Sequence, residues 1–187
     1  ETLLVLGSSG GVGLTAVELG KLIGAKVIAA ASSDEKLEFV KQLKPDYLLN
    51  YNECDLKEAV KDLTEGRGAD VIYDPVGGDL FDQCCRCINW NGRLLVIGFT
   101  SGRIPSYKAN LSLLKGSAMV GVFLGRFRKE EPQAYEQNFR ELLEMYREGK
   151  LNPIVTKSFA LEDFVDAFNI FNQRKAMGKV TLELKQE

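Results

Sequence analysis

Short, unbroken apolar runs alternate with stretches of helical periodicity through most of this chain. Leu3 to Gly7 is such a run, stopped by glycine, and it suits a strand covered on both faces. Gly10, Gly11 and Gly13 follow, then Leu14, Val17, Leu19, Leu22 and Ile23 at helical spacing up to Gly24. Lys26 to Ala31 predicts a second buried strand, and Ser32-Ser33 can cap a helix carrying Leu37, Val40 and Leu43. After the Pro45-Asp46 break, Tyr47 to Tyr51 predicts a third strand, and Leu56, Val60 and Leu63 a third helix closed by Gly66-Arg67-Gly68. Ala69 to Asp74 is a fourth strand, Pro75 to Gly78 a turn, and about Asp79 to Ile88 a fourth helix. Asn91-Gly92 turns the chain into a fifth strand, Arg93 to Gly98.

Ser117 to Leu124 predicts a sixth strand, and an amphipathic helix follows through Tyr135, Phe139, Leu142, Leu143 and Tyr146 to Gly149. Strands and helices alternating in this way predict an α/β fold: a doubly wound, six-stranded, mainly parallel Rossmann sheet with helices on both faces. The rhythm breaks after residue 150. Residues 153–155 and 157–159 look extended, Leu161 to Phe171 helical, and Lys179 to Leu184 alternates as an antiparallel strand should. The expected organisation is therefore a dinucleotide-binding domain over 1–150 and a C-terminal tail over 151–187. Because Glu1 and Thr2 run directly into a core strand, with no secretory signal, we expect further natural sequence before Glu1. The tail is expected to pack partly against that neighbour.

Composition narrows the chemistry. Histidine is absent, which removes Ser-His-Asp and Cys-His nucleophilic machinery, zincin motifs and an imidazole proton shuttle from these residues. Lys and Arg number 24 against 26 Asp and Glu, so the net charge of -2 gives no general attraction to nucleic acid or an anionic membrane. No apolar run approaches the roughly 20 residues needed to cross a bilayer. Cys84, Cys85 and Cys87 crowd together with only Cys54 elsewhere, which is no disulfide framework. A reducing intracellular compartment, cytoplasmic or mitochondrial, is the expected location. The CCxC cluster lacks a second ligand pair, so no metal site is expected.

Between the first strand and first helix stands Gly7-Ser8-Ser9-Gly10-Gly11-Val12-Gly13. Small residues are needed where the backbone must turn sharply, admit a diphosphate to its amides, and pack a helix closely on a strand. Ser8, Ser9, Gly10, Gly11, Val12 and Gly13 are therefore candidate diphosphate-binding residues. A site selecting NAD places a carboxylate about 20 residues beyond the glycines. That count arrives at Ala31, and Ser32, Ser33 and Lys36 follow, two hydroxyls and an ammonium suited to the 2′-phosphate of NADP. Two plainer roles compete: Ser33 as a helix cap and Lys36 as a solvated charge. Asp34 and Glu35 would repel a phosphate if they faced it.

The strings LLVLGSSGGVGLTAVELGKLIGAKVIAAASSDEKL, NY, GADVIYDPVGG, GRLLVIGFTSG and MGKVTLEL together resemble the coenzyme-binding half of the quinone oxidoreductase branch of medium-chain dehydrogenases/reductases. The resemblance covers nearly the whole chain. It implies that residues 8–13 bind the diphosphate of NADP(H) and that Lys36 and Tyr51 contact its 2′-phosphate. It implies further that Val76, Gly77, Ile97, Gly98 and Phe99 line the ribose and nicotinamide, that Phe123, Leu124 and Gly125 lie near the carboxamide, and that Arg174 reaches the adenosine phosphate. Tyr51, Phe123 and Leu124 could equally be core residues, and Arg174 a solvated helix-end charge. The branch works without zinc, passing hydride from NADPH to a quinone or enone held by an N-terminal substrate domain. No residue here is marked as a catalytic proton donor. A homodimer paired through the apolar edge near Met119 to Leu124 is also implied.

Two other readings compete. Gly7 to Gly13 fits GxxxGxG and Tyr146 to Lys150 fits YxxxK, the marks of a complete short-chain dehydrogenase. That family's serine and its Asn-Asn-Ala-Gly turn are absent, and Gly149 inside the motif predicts a helix end, leaving Tyr146 to packing. The second is a non-enzymatic nucleotide- or nucleic-acid-binding module, for which Arg126-Phe127-Arg128-Lys129 is the available basic patch.

Overall fold

The computed structural model describes residues 1–184. Strands β1 (Thr2–Val5), β2 (Lys26–Ala31), β3 (Tyr47–Asn50), β4 (Ala69–Asp74), β5 (Ile88–Val96) and β6 (Ala118–Gly121) form one sheet in the order β3-β2-β1-β4-β5-β6. Every neighbouring pair in it is parallel. The crossovers carry α1 (Gly11–Leu22), α2 (Asp34–Val40), α3 (Leu56–Leu63), α4 (Gly78–Cys87) and α5 (Asn110–Lys115). The chain winds outward from β1 in one direction and resumes at β4 in the other, the doubly wound arrangement expected from the alternating pattern.

The unbroken apolar runs follow from burial on both faces. Leu4, Leu6, Ile28 and Ile72 point to one side and pack with Leu56, Val60 and Phe81 of α3 and α4. Val5, Val27 and Ala29 point to the other and pack with Leu14, Val17 and Val40 of α1 and α2. Each such fully buried aliphatic side chain contributes roughly 1.5–3 kcal/mol, so these two layers hold the domain together. Cys84, Cys85 and Cys87 are buried in the first layer as unpaired thiols, and Cys54 is exposed and unpaired.

Several boundaries differ from expectation. β5 begins at Ile88, and the turn expected at Asn91-Gly92 is a bulge inside it: Asn91 has φ 58° and the register with β4 shifts between Ala69 and Val71. The residue in left-handed conformation kinks the strand without ending it. β6 stops at Gly121, and α6 (Leu124–Glu130) and α7 (Pro132–Arg147) follow with no buried residue on either. The helical residues of α5 and α6 were not anticipated.

The tail comprises β7 (Val155–Ala160), a 3₁₀ turn over 161–163, α8 (Phe164–Asn172) and β8 (Lys179–Glu183). β8 pairs with β7 in parallel, which corrects the antiparallel expectation. Alternation reports one-sided exposure and is blind to strand direction, whereas α8 acts as a crossover and makes the pair parallel. The last three residues of the expected 151–187 tail lie outside the described residues. The tail is fastened to the sheet domain: Leu151 is buried, Ile154 packs on the second layer, and the Asn152 amide donates to Glu18 Oε1 at 2.6 Å. Among the described residues no helix is long and apolar enough to cross a membrane.

Candidate functional site

Nearly all the anticipated site residues stand just beyond the carboxyl end of a strand. β1 leads into Gly7–Gly13, β2 into Ser32-Ser33, β3 into Tyr51, β4 into Pro75–Gly77, β5 into Ile97–Phe99 and β6 into Val122–Leu124. Open parallel sheets form their ligand crevice along that edge, at the point where strand order reverses.

The turn after β1 is compact. Gly7 has φ 57°, and the Ser8 and Gly10 amides donate to Ala30 O and Gly7 O, each at 3.0 Å. A Cβ on Gly13 would lie 2.3 Å from Gly7 O and 2.9 Å from Ser8 Cα, so α1 starts flush against the turn. Leu14 N donates to Gly10 O at 2.8 Å, the first bond of the helix, so the Gly11, Val12 and Gly13 amides are its unpaired first-turn donors. The contrast with neighbouring helices is informative. α2 begins under Ser33 with Asp34 and Glu35 in its first turn, and α3 under Asp55 with Glu58. α1 has neither a capping side chain nor an acidic residue there. Its positive end faces the crevice unneutralised, and such an end takes an anion. Ser8 Oγ is also buried without a hydrogen-bond partner, a costly arrangement that a ligand oxygen would relieve.

A second polar group sits at the ends of β2 and β3. Lys36 Nζ donates to Ser32 Oγ at 3.0 Å, while the Lys36 amide donates to the capping Ser33 Oγ at 3.4 Å. The competing roles thus divide: Ser33 caps α2, and Lys36 turns its ammonium onto Ser32. Asn52 Nδ2 donates to Ser32 O at 2.7 Å, and Asn50 Nδ2 holds the Asp34 carboxylate at 2.9 Å. Tyr51 is half-buried. Burial pushes its hydroxyl up, and the Ser32 side chain and the Arg174 guanidinium oppose that. The structure therefore brings Ser32, Lys36, Tyr51 and Arg174 together, although Arg174 comes from just beyond α8.

The third group lies over β4 and β5. Asp74 is 2% exposed, and its Oδ1 accepts the Val76 and Gly77 amides, each at 2.8 Å. Its carboxyl is raised above the ordinary value because burial outweighs those two bonds. The Ile97 amide donates to Asp74 O at 3.0 Å, and a Cβ on Gly77 would lie 3.0 Å from the Phe99 ring. Val76, Gly77, Ile97, Gly98 and Phe99 thus form one floor, joined to the glycine turn where Val76 Cγ2 would stand 3.2 Å from a Gly7 Cβ. Phe123 and Leu124 are 74% and 64% exposed, so neither is core.

Sequence reasoning passed over Asp74 and Lys179. A carboxylate closing an apolar strand immediately before Pro-Val-Gly was a legible turn signature. Lys179 had no local signal: its Nζ donates to Gly11 O at 3.2 Å, 168 residues away in the chain.

The competing motifs do not assemble. α7 ends at Arg147 and Gly149 has φ 70°, so Tyr146 and Lys150 do not share a helix, and Lys150 pairs with Glu148 at 2.7 Å. Tyr146 is also 57% exposed and so is not the packing residue expected. Two members of the basic patch have neighbours of their own: Arg126 meets Glu130 at 3.4 Å and Arg128 covers the Tyr135 ring at 5.8 Å. Among the described residues no group of three or more His, Cys, Asp or Glu could hold a metal ion.

A model of the zinc-binding dehydrogenase family matches residues 11–144. The quinone oxidoreductase-like protein 2 homolog of Nematostella vectensis is 41% identical over 188 residues, covering 100% of this chain and 51% of that protein. Quinone oxidoreductase-like protein 2 of Bos taurus is 39% identical over 186 residues, covering 99% and 53%. The chain spans about half the length of the curated relatives it matches. Among solved structures, the quinone oxidoreductase of Pseudomonas syringae pv. tomato DC3000 superposes with a TM-score of 0.89 at 27% identity, covering 98% of this chain and 57% of that one. The Escherichia coli quinone oxidoreductase complexed with NADPH superposes with a TM-score of 0.86 at 26% identity, again covering 98% and 57%. The uncapped glycine turn, the sheet order and these matches agree, and the chain belongs to the zinc-binding dehydrogenase family, on its quinone oxidoreductase-like branch.

Proposed function

We propose that this chain is the NADP(H)-binding domain of a zinc-independent oxidoreductase that transfers hydride from NADPH to a quinone or enone. The observation that carries the reading is the start of α1, uncapped and free of acidic residues where α2 and α3 are both capped and acidic. The Gly11, Val12 and Gly13 amides would bind the diphosphate, with Ser8, Ser9 and Gly10 shaping the turn. Lys36, Ser32, Tyr51 and Arg174 would surround the 2′-phosphate, two cations and two hydroxyl donors on a group that NADH lacks. Val76, Gly77, Ile97, Gly98 and Phe99 would support the ribose and nicotinamide, and Phe123 and Leu124, exposed at the end of β6, would close over the carboxamide. Bound there, the nicotinamide supplies the hydride. The chain's own residues orient that ring and exclude water from it.

Three further elements belong to the proposal. The substrate is held by a domain outside these residues, docked on the exposed apolar side of the tail, where Phe164, Val165, Phe168 and Phe171 are each about half exposed. The protein is a homodimer paired along β6, whose Met119 and Val120 are 45% and 39% exposed at the open edge of the sheet. Its unpaired thiols suit a reducing intracellular compartment.

Calorimetric titration with NADPH and NADH tests the assignment. NADPH should bind at least about tenfold more tightly, consistent with one or more charge-assisted bonds to the 2′-phosphate. Lys36→Ala should bring the two affinities together. A preference for NADH that Lys36→Ala leaves unchanged would overturn the reading.

A further inference from the structure

A carboxylate stands inside the stretch that carries the candidate 2′-phosphate residues. Asp34 opens α2, two residues from Ser32 and two from Lys36, and it is exposed. Free to turn, its side chain would repel a 2′-phosphate or accept from a ribose hydroxyl, the role a carboxylate takes in sites that select NAD. Asn50 reaches it from the next strand. It lies opposite Ala31 in the β2–β3 register, and its Nδ2 donates to Asp34 Oδ1 at 2.9 Å. The other end of the same amide is also engaged: Oδ1 accepts the Asn52 backbone N–H at 3.1 Å, while Asn52 Nδ2 donates to Ser32 O at 2.7 Å. With both ends bonded, the Asn50 amide keeps its donor turned to Asp34. The Lys36 ammonium is bonded to Ser32 instead, and Arg174 is the charge that acts on the Tyr51 hydroxyl.

From this geometry we infer that Asn50 is a specificity-determining positioning residue, tying down the Asp34 carboxylate so that it meets neither a 2′-phosphate nor a ribose hydroxyl. The inference rests on the NADP(H) reading above and deepens it by naming what keeps an acidic residue from opposing that choice. Specificity here is a difference between two affinities, and restraining a repulsive group raises it as surely as adding an attractive one. Asn50 itself need touch no part of the coenzyme.

The test titrates the full chain with NADPH and NADH at low and high salt, as wild type, Asn50→Ala, Asp34→Asn and the double variant. Asn50→Ala should lower the ratio of NADPH to NADH affinity by about fivefold, the loss falling on NADPH and the difference from wild type shrinking at high salt. Asp34→Asn should restore the ratio in the Asn50→Ala chain yet change it little in wild type, where the carboxylate is already held. A ratio unchanged in Asn50→Ala, whether from no loss or from equal losses on both coenzymes, would overturn the inference. So would a lowered ratio that Asp34→Asn fails to restore. A wild-type chain with no preference for NADPH is a distinct result, which would remove the 2′-phosphate reading and this inference with it.

Discussion

The Gly7 carbonyl oxygen occupies the space that a Gly13 side chain would need, 2.3 Å from an ideal Cβ. The contact is with backbone, which cannot step aside as a flexible side chain would. Gly13→Ala should therefore destabilise the domain by about 1–3 kcal/mol and weaken NADPH binding, because the turn and helix must separate. Gly121→Ala, with no atom within 4 Å of the new Cβ, is the matched control. It should stay within about 0.5 kcal/mol of wild type in urea unfolding.

Tyr51→Phe separates recognition from packing. The ring remains to fill its half-buried place, and only the hydroxyl facing Ser32 and Arg174 is removed. NADPH affinity should fall by about three- to tenfold while NADH affinity holds, as one lost hydrogen bond to a charged group predicts. Equal losses for both would assign Tyr51 to packing alone.

Acid should weaken the fold through Asp46 and Asp70. At Asp46 burial pushes the carboxyl up, but bonds from Lys21 Nζ and the Val27 amide, both at 2.7 Å, outweigh it and leave the group below its ordinary value. At Asp70 the Thr2 amide at 2.7 Å and Asn89 Nδ2 at 2.6 Å do the same against burial. Stability from a depressed carboxyl is present above its unfolded value of about 3.9 and is lost as pH falls through the lower folded value. Urea midpoints should drop below about pH 4, and Asp46→Asn with Asp70→Asn should flatten that drop.

Asp74 runs the other way. Its folded value is raised, so stability declines as pH climbs from the unfolded value through the folded one, and Asp74→Asn should abolish that slope. Asp74→Ala should be the costlier change. It leaves the Val76 and Gly77 amides without their acceptor, for a loss of about 2–4 kcal/mol in chemical denaturation.

Thiol labelling should distinguish one cysteine from three. Cys85 is pushed up to about 12 by burial and nearby Asp82, Cys84 is raised by its bond with Cys87 and by burial, and all three clustered thiols are enclosed. Native protein should take up a single maleimide, slowly, at Cys54, whose own thiol burial and the neighbouring Asp55 and Glu53 hold up. Unfolded protein should take up four, the full count of cysteines.

Edge pairing is checked by sedimentation. A dimer should dissociate in Val120→Lys, since a charge on an open apolar edge blocks strand addition. A wild-type chain that stays monomeric at high concentration would remove the β6 pairing.

The sheet domain was legible because its strands are covered on both faces, so burial wrote itself into unbroken runs such as Val27 to Ala31. The turn of the candidate site was legible where chemistry and position coincide, as in Gly10, Gly11 and Gly13 before an apolar helix. Legibility failed where apolar residues are exposed. The core alternative for Phe123 and Leu124 and the packing role expected of Tyr146 both fail, since each of the three is more than half exposed. A hydrophobic side chain carries no mark of whether its partner lies within these residues. Strand direction in β7 and β8 and the Lys179 contact failed for a related reason, since both depend on pairings between distant segments.

The bridge between Gly10 and Gly178 joins the two ends of the described fold. A ribosome releases the amino-terminal end first, and a growing polypeptide can stack its early strands long before residue 178 leaves the exit tunnel. Closing so long a loop adds an entropic term that rises only with the logarithm of its length. Completion of the glycine turn must therefore wait until residue 178 has been synthesised, and a product terminated before that point would leave the Ser9 carbonyl without the Gly178 amide.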